Sequence, residues 1–159
     1  MPDFVNSNPM LQRSVEVEVN CSVQQVYDLW ENLENVPRWM PLVKSVRRLK
    51  SNDELWLWTF GLGFPLLTEW TSHITRRIPL RLIAWHSVSG LSNQGSAEFF
   101  ATDQGCRLRL TLAFNLPGGI VGAFLEKMGI DRWLEVNLAE SLNRFQSQIE
   151  AEVQRQSFV

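Results

Sequence analysis

Residues suited to metal or disulfide chemistry are scarce in this chain. Its 159 residues include only two cysteines, Cys21 and Cys106, and only two histidines, His73 and His86. Two thiols so far apart in sequence do not form a disulfide scaffold, and no Cys/His spacing has the pattern of a metal site. We therefore expect neither a bound metal nor a resident cofactor.

A strong charge of one sign and long hydrophobic runs are missing as well. The net charge is −2, which gives no global basic field for nucleic acid. No run reaches the roughly 18 apolar residues of a transmembrane helix. The N-terminal sequence MPDFVNSNPMLQR (1–13) lacks the basic start and long apolar run of a secretion signal. These features predict a cytoplasmic protein that does not bind nucleic acid.

Tryptophan, by contrast, is abundant, with seven residues in the chain. Apolar residues make up 45% of the sequence and charged residues 20%, which is an ordinary globular balance. A chain of this length suits one domain with a substantial core. Because aromatic rings are large and rather rigid, they can either fill that core or line a pocket within it.

The chain begins with a segment that shows little periodicity. Residues 1–12 contain two prolines and two asparagines, and we expect them to form a flexible arm ahead of a single domain at 13–155. SVEVEV (14–19) alternates apolar and polar residues, as a half-buried strand does.

Two short helices are predicted next. Ser22 and Gln25 have the spacing of a capping box, which starts a helix that ends near Leu33. NVPRWM (35–40) predicts a second short helix or turn, which Pro41 terminates.

Six further strands and a long helix complete the pattern. The strands are predicted at 42–50, 54–60, 67–77, 81–88, 96–102 and 106–114. Residues 90–95 are interpreted as a loop. The final helix carries one apolar stripe, formed by Leu134, Leu138, Leu142, Phe145 and Ile149. A run of antiparallel strands with segregated helices is an α+β domain, in which the long helix covers the apolar face of the sheet.

Three segments of this chain resemble the START-like, or SRPBCC, superfamily. More narrowly, they resemble its polyketide cyclase/dehydrase and coenzyme Q-binding branch. The segments are VYDLWENLENVPRWMPLVKSVRRL (26–49), TEWTSHITRRIPLRLIAWHSVSGLSNQGSAEF (68–99) and LPGGIVGAFLEKMG (116–129).

The resemblance implies a helix-grip fold, in which a seven-stranded curved antiparallel sheet wraps around the C-terminal helix. It also implies a cavity between sheet and helix that holds a lipid, sterol, quinone or polyketide. Some members of the superfamily catalyse cyclisation or dehydration, and many only bind or carry their ligand. A shared fold does not fix which of these this chain does.

Eight large apolar residues are predicted to line the cavity. They are Trp58, Trp70, Trp85, Phe99, Leu110, Phe114, Phe124 and Leu134. The same residues would also fill a solid core, since close packing is the norm in proteins. On strand 67–77, the residues that point inward are either Trp70 and Ile74 or Glu69, Thr71 and His73. We favour Trp70, because it has more apolar area to bury.

No constellation of catalytic residues stands out. His86, with Arg81 or Tyr27, could be assigned the roles of base and donor in an aldol cyclisation, but nothing in the spacing supports this. Glu69 and His73 share a strand face, but strand geometry places them more than about ten Å apart. The sequence therefore predicts no catalytic residues.

The hairpin tip GLGFPLL (61–67) is unusually apolar for a turn. It can plug the pocket, form the rim where ligand enters, or dip into a membrane or protein surface. We interpret Phe64 and Leu66 as the rim, with transient membrane contact as an extension. Arg47, Arg48 and the pair at 76–77 could form a patch for anionic headgroups, although an ordinary solvated edge is the simpler interpretation.

The sequence thus predicts non-catalytic binding or transport of a hydrophobic small molecule, such as a lipid or isoprenoid quinone. The alternative is an aromatic polyketide cyclase/dehydratase. A third possibility is a protein-interaction module, because some coenzyme Q-binding relatives are thought to act on other assemblies.

Overall fold

The structure is a computed structural model that describes residues 11–49, 54–63, 66–115 and 129–157. Seven strands and three helices lie within these ranges. In chain order they are β1 (Leu11–Val19), α1 (Val23–Glu31), a 3₁₀ helix (Leu33–Arg38), β2 (Val43–Arg48), β3 (Leu55–Gly63), β4 (Leu66–Ile78), β5 (Leu82–Gly90), β6 (Ser92–Thr102), β7 (Gly105–Asn115) and α2 (Ile130–Ser157).

All seven strands belong to one antiparallel sheet. Its strand order is β1-β7-β6-β5-β4-β3-β2, so every neighbouring pair except β1 and β7 is also consecutive in sequence. The two short helices connect the edge strands β1 and β2, and α2 follows the last strand. The predicted α+β helix-grip architecture is therefore confirmed.

Strand alternation separates an apolar inner face from a charged outer face. Between β1 and β7, Glu16 accepts a hydrogen bond from Arg109 at 2.7 Å and Glu18 accepts one from Arg107 at 2.8 Å, all on the outer face. On the inner face the pairs are apolar, as in Val17 opposite Leu108. These ion pairs are largely exposed, so burial of the inner face contributes more to stability than they do.

The capping box predicted at the start of α1 is confirmed. The Ser22 hydroxyl accepts from the Gln25 backbone N–H at 3.2 Å, and the Gln25 side-chain oxygen accepts from the Ser22 backbone N–H at 2.9 Å. The second short helix is a 3₁₀ helix that begins at Leu33, two residues earlier than predicted. Asn32 caps it by accepting a hydrogen bond from the Glu34 backbone N–H at 3.2 Å.

Helix α2 covers the inner face through its predicted apolar stripe. All five stripe residues are buried: Leu134, Leu138, Leu142, Phe145 and Ile149. Two hydrogen bonds fix the helix at the end of β1. The Gln146 side-chain amide donates to the Glu18 carbonyl at 2.7 Å, and the Asn20 backbone N–H donates to Glu150 at 2.9 Å.

Several other predicted boundaries are wrong. Strand β3 continues to Gly63, three residues into the segment predicted as a hairpin tip. Strand β1 begins at Leu11, so Leu11 and Gln12 pair with β7 instead of belonging to the arm. The arm at 1–10 lies outside the described residues. The interpretation of 90–95 as a loop is also wrong, because β6 begins at Ser92.

Gly95 is typical of a loop, yet it lies within β6, where the neighbouring strand approaches closely. A Cβ atom on Gly95 would lie 2.5 Å from Cζ2 of Trp85 on the neighbouring strand. Glycine is therefore required there for the indole ring to lie across β6. The turn that does exist is at Gly90, which has a φ of +79°.

Candidate ligand-binding site

A cavity of about 30 Å³ lies between the inner face of the sheet and the two short helices. Its described lining comes from α1, the 3₁₀ helix and six of the strands or their flanks. The lining residues are Trp30, Leu33, Val36, Met40, Val43, Trp58, Phe60, Trp70, Trp85, Asn93, Leu110, Leu112 and Phe114. No described residue of α2 is among them, so among the described residues it is the short helices, and not the C-terminal helix, that close the cavity against the sheet.

Five of the eight predicted lining residues do meet around this cavity. They are Trp58, Trp70, Trp85, Leu110 and Phe114. The choice of the inward face of β4 is also correct, because Trp70 is buried while Glu69 is exposed. Whether these residues bind a ligand stays a prediction.

The other predicted positions lie elsewhere. Phe99 is buried, but its ring packs edge-on against Tyr27 with centroids 5.2 Å apart and does not line the cavity. Leu134 is buried on α2, also away from the cavity. Phe124, Phe64 and the side chain of Leu66 fall outside the described part of the chain, so the predicted rim and its membrane contact stay predictions.

Four strand-borne aromatic rings form one wall of the cavity. This sheet cluster consists of Trp58, Phe60, Trp70 and Phe114. Trp58 and Trp70 are cross-strand partners whose rings stack 5.8 Å apart. Phe60 lies 5.6 Å from Trp70, and Phe114 lies 6.4 Å from both Phe60 and Trp70. The Trp58 indole N–H donates to the buried Ser72 hydroxyl at 2.9 Å, which fixes that ring in orientation.

A second aromatic group joins the helices. This helix cluster consists of Trp30 from α1, Trp39 after the 3₁₀ helix and Phe145 from α2. The two indoles stack 5.6 Å apart, and Phe145 meets them edge-on at 5.3 and 4.8 Å. The indole N–H groups of Trp30 and Trp39 are buried and have no hydrogen-bond partner among the described residues.

Asn93 is the one polar residue in the described lining. The interpretation of 90–95 as a loop leaves its side chain out of the predicted site. The period-2 pattern Asn93, Gly95, Ala97, Phe99 would have placed it on the inner face, had the strand been extended backward. Trp30, the 3₁₀-helix residues and Leu112 were likewise not identified as lining residues.

The candidate catalytic residues do not converge on the cavity. His73 and His86 are cross-strand neighbours with ring centroids 6.1 Å apart, and neither is a lining residue. Strand alternation places both histidines on the outer face of the sheet, whereas Trp70 and Trp85 lie on the inner face. His86 is exposed, and it therefore cannot serve as a base for a ligand in this cavity.

Two titratable groups in the core are held in their neutral forms. Burial raises the pKa of the Cys106 thiol to about 11, and burial likewise raises the pKa of the Tyr27 hydroxyl, with the Arg77 guanidinium offsetting part of that rise. A protonated, fully buried thiol is a poor nucleophile. Cys106 and Tyr27 are therefore uncharged at neutral pH.

The four arginines considered for an anionic patch are split between the two faces of the sheet. Arg47 and Arg76 pair with Leu57 and Ala84 on the outer face. Arg48 and Arg77, which follow them in sequence, point to the inner face because successive strand residues alternate between faces. Arg48 lies over the Trp56 ring at 5.5 Å, and Arg77 pairs with Glu31 at 3.3 Å and Glu54 at 3.9 Å. These four residues do not form one basic patch.

Within the described ranges, no group of three or more His, Cys, Asp or Glu residues is arranged to hold a metal ion. Among the same residues, no helix has the length and apolar character needed to cross a bilayer.

Sequence comparison assigns the family. A family model described as polyketide cyclase/dehydrase and lipid transport matches residues 19–132, which is more than half of the chain. The chain belongs to this family. The match extends across α1, the cavity lining and the start of α2, so the family's characteristic region includes the candidate site. No curated protein is significantly similar in sequence.

Solved structures support the same fold. The Zhui aromatase/cyclase from Streptomyces sp. R1128 has a TM-score of 0.73 at 17% identity, covering 91% of this chain and 96% of its own. A START superfamily protein from Mycobacterium smegmatis has a TM-score of 0.65 at 14% identity, covering 88% and 98%. A Deinococcus radiodurans protein has a TM-score of 0.67 at 23% identity, covering 91% and 99%. At these identities the likeness establishes the fold alone.

Proposed function

We propose that this protein binds a hydrophobic small molecule, such as a lipid or isoprenoid quinone, in the cavity and carries it without chemical change. The observation that carries this proposal is the composition of the described lining, which is apolar except for Asn93. An apolar pocket with very few polar groups suits an apolar ligand. Because Asn93 does not titrate, the described lining offers no general acid or base.

The cavity must enlarge when such a ligand enters. Its volume of about 30 Å³ has room for only about one or two water molecules. The sheet cluster is the wall best placed to yield, since its rings already border the open space. Phe60 and Phe114 have no polar group to anchor them, whereas Trp58 is held by Ser72. Rotation of the two phenylalanine rings is therefore the first step of expansion that this proposal requires.

Two adjacent residues of β7 provide a matched test. Leu112 lines the cavity, while Thr111 lies on the outer face and bonds the Ser14 hydroxyl at 2.9 Å. Leu112→Gln places an amide in the apolar site and should weaken binding of the uncharged probe N-phenyl-1-naphthylamine by about tenfold or more, because burying an unpaired amide is costly. Fluorescence titration measures the affinity.

Thr111→Gln is the control for this test. The same side chain on the opposite face should leave probe affinity within about twofold of the wild-type value, since Thr111 does not line the cavity. Equal affinity for all three proteins, or weak binding that both variants lose equally, would contradict binding in this cavity.

The alternative function is an aromatic cyclase/dehydratase that acts on a polyketide-like substrate. Family membership and the structural likeness to the Zhui aromatase/cyclase favour it. It requires acid and base groups beside the substrate, and the described lining supplies none. Formation of a cyclised aromatic product from a linear poly-β-ketone thioester, at a rate above that without protein, would support the enzyme over the carrier.

A further inference from the structure

Asn93 is held in place by strand β5 and the turn that follows it. It lies on the inner face of β6 opposite Phe114 and is only 3% exposed. Its backbone N–H donates to the Ser87 hydroxyl at 2.9 Å, and its side-chain Nδ2 donates to the Leu91 carbonyl at 2.8 Å. The side chain is therefore fixed in both position and orientation.

The Leu91 carbonyl determines which end of the Asn93 amide faces it. A flipped amide would bring two carbonyl oxygens together, so the NH₂ group must occupy the Leu91 side. The Oδ1 atom and the second N–H of the amide are left over, and no described residue forms a hydrogen bond with either. Oδ1 is not one of the fully buried atoms that lack a partner, so a small polar group can still reach it and complete its hydrogen bonding.

The surroundings of Asn93 offer little to satisfy this oxygen. The other twelve residues of the described lining are apolar, including Trp85, Leu112 and Phe114. A buried water molecule is stable when it has about two to four polar partners, and few are available here. The unmatched oxygen therefore indicates that a group on the ligand completes the bond.

We propose that the ligand of this cavity is an apolar alcohol or phenol, whose hydroxyl group donates a hydrogen bond to Oδ1 of Asn93. This inference rests on the proposed binding function and narrows its ligand class. A hydroxyl group can donate to Oδ1 and accept from the second N–H of the amide, whereas an ether, ester or quinone carbonyl can only accept from that N–H and leaves Oδ1 unmatched. Of the two redox forms of an isoprenoid quinone, the cavity selects the hydroxyl-bearing quinol.

A pair of probes that differ only in this group provides the test. Calorimetry compares 2-naphthol with 2-methoxynaphthalene. In a purely apolar site, the additional methyl group would favour the ether by about fourfold. We expect the wild-type protein to reverse this order and bind the naphthol more tightly, because one buried hydrogen bond is worth about tenfold in affinity.

Asn93→Leu should remove the preference selectively. We expect naphthol affinity to fall by about tenfold relative to ether affinity, since Leu keeps the branched shape of the side chain and removes the acceptor. Gln94→Leu is the control, because it removes an amide from the adjacent, exposed position of β6, which does not line the cavity, and leaves Oδ1 of Asn93 untouched. It should preserve the wild-type ratio of the two affinities.

The outcomes separate this inference from the proposed function. Ether binding at least as tight as naphthol binding in the wild-type protein would overturn the selection of hydroxyl ligands, and this comparison requires no variant to fold. A wild-type ratio of naphthol to ether affinity in Asn93→Leu would overturn the selection of hydroxyl ligands as well. Failure of both probes to bind would overturn the binding function together with the inference.

Discussion

The helix cluster and the sheet cluster use the same residue types in different environments. In the helix cluster, Trp30 is 2% exposed and both Trp39 and Phe145 are fully buried, with ring centroids 4.8 to 5.6 Å apart. In the sheet cluster, Trp58, Phe60, Trp70 and Phe114 are 6 to 8% exposed. Their ring contacts are longer, at 5.6 to 6.4 Å.

The difference shows that aromatic content alone does not identify a binding site. Two stacked indoles and the Phe145 ring that meets both edge-on hold α1, the end of the 3₁₀ helix and α2 together. Rings contributed by three strands of one sheet lie over a surface that they do not fully cover, and the remaining space is the cavity. The helix cluster therefore stabilises the fold, while the sheet cluster is the adaptable wall.

The largest expected effect is on the helix cluster. Phe145→Ala should lower the free energy of unfolding by about 4 kcal/mol, because a fully buried ring leaves a cavity that three elements cannot easily close. Denaturant titration measures this loss. A loss below about 1 kcal/mol would show that the helix cluster is not the structural support described here.

A smaller effect on stability is expected in the sheet cluster. Phe114→Ala should cost about 2 kcal/mol, because one side of this ring already borders open space and has fewer contacts to lose. It should also enlarge the cavity enough to admit benzene, detected by calorimetry. Phe100→Ala in β6 is the control, since that ring contacts Arg109 at 5.2 Å on the outer face and should leave benzene binding unchanged. A stability cost equal to that of Phe145→Ala, with no benzene binding, would remove the distinction between the clusters.

Regular periodicity made most of the fold predictable from sequence. The capping box at Ser22, the alternation in β7 and the α2 stripe all correspond to observed structure. Each of these signals is local, because it depends on residues two to four positions apart. Trp70 was likewise oriented correctly, since apolar area decides which face of a strand turns inward.

The site was harder to predict because it depends on contacts between strands. Gly95 looks like a loop residue until the Trp85 ring on the neighbouring strand is known to need its space. That misassignment concealed Asn93. The contribution of Leu33 and Val36 to the lining depends on how the 3₁₀ helix packs over the sheet, which no local pattern specifies. The arginines at 47–48 and 76–77 were grouped by sequence, although adjacent strand residues point to opposite faces.

The most direct test of the central claim is to identify what the protein carries. Native mass spectrometry of protein purified gently from its own host, followed by solvent extraction, measures the mass and identity of any bound molecule. We predict one hydrophobic molecule per chain, bearing a hydroxyl group and absent from Leu112→Gln. A protein that stays unliganded after purification and after incubation with a lipid extract from the same host would contradict the carrier function.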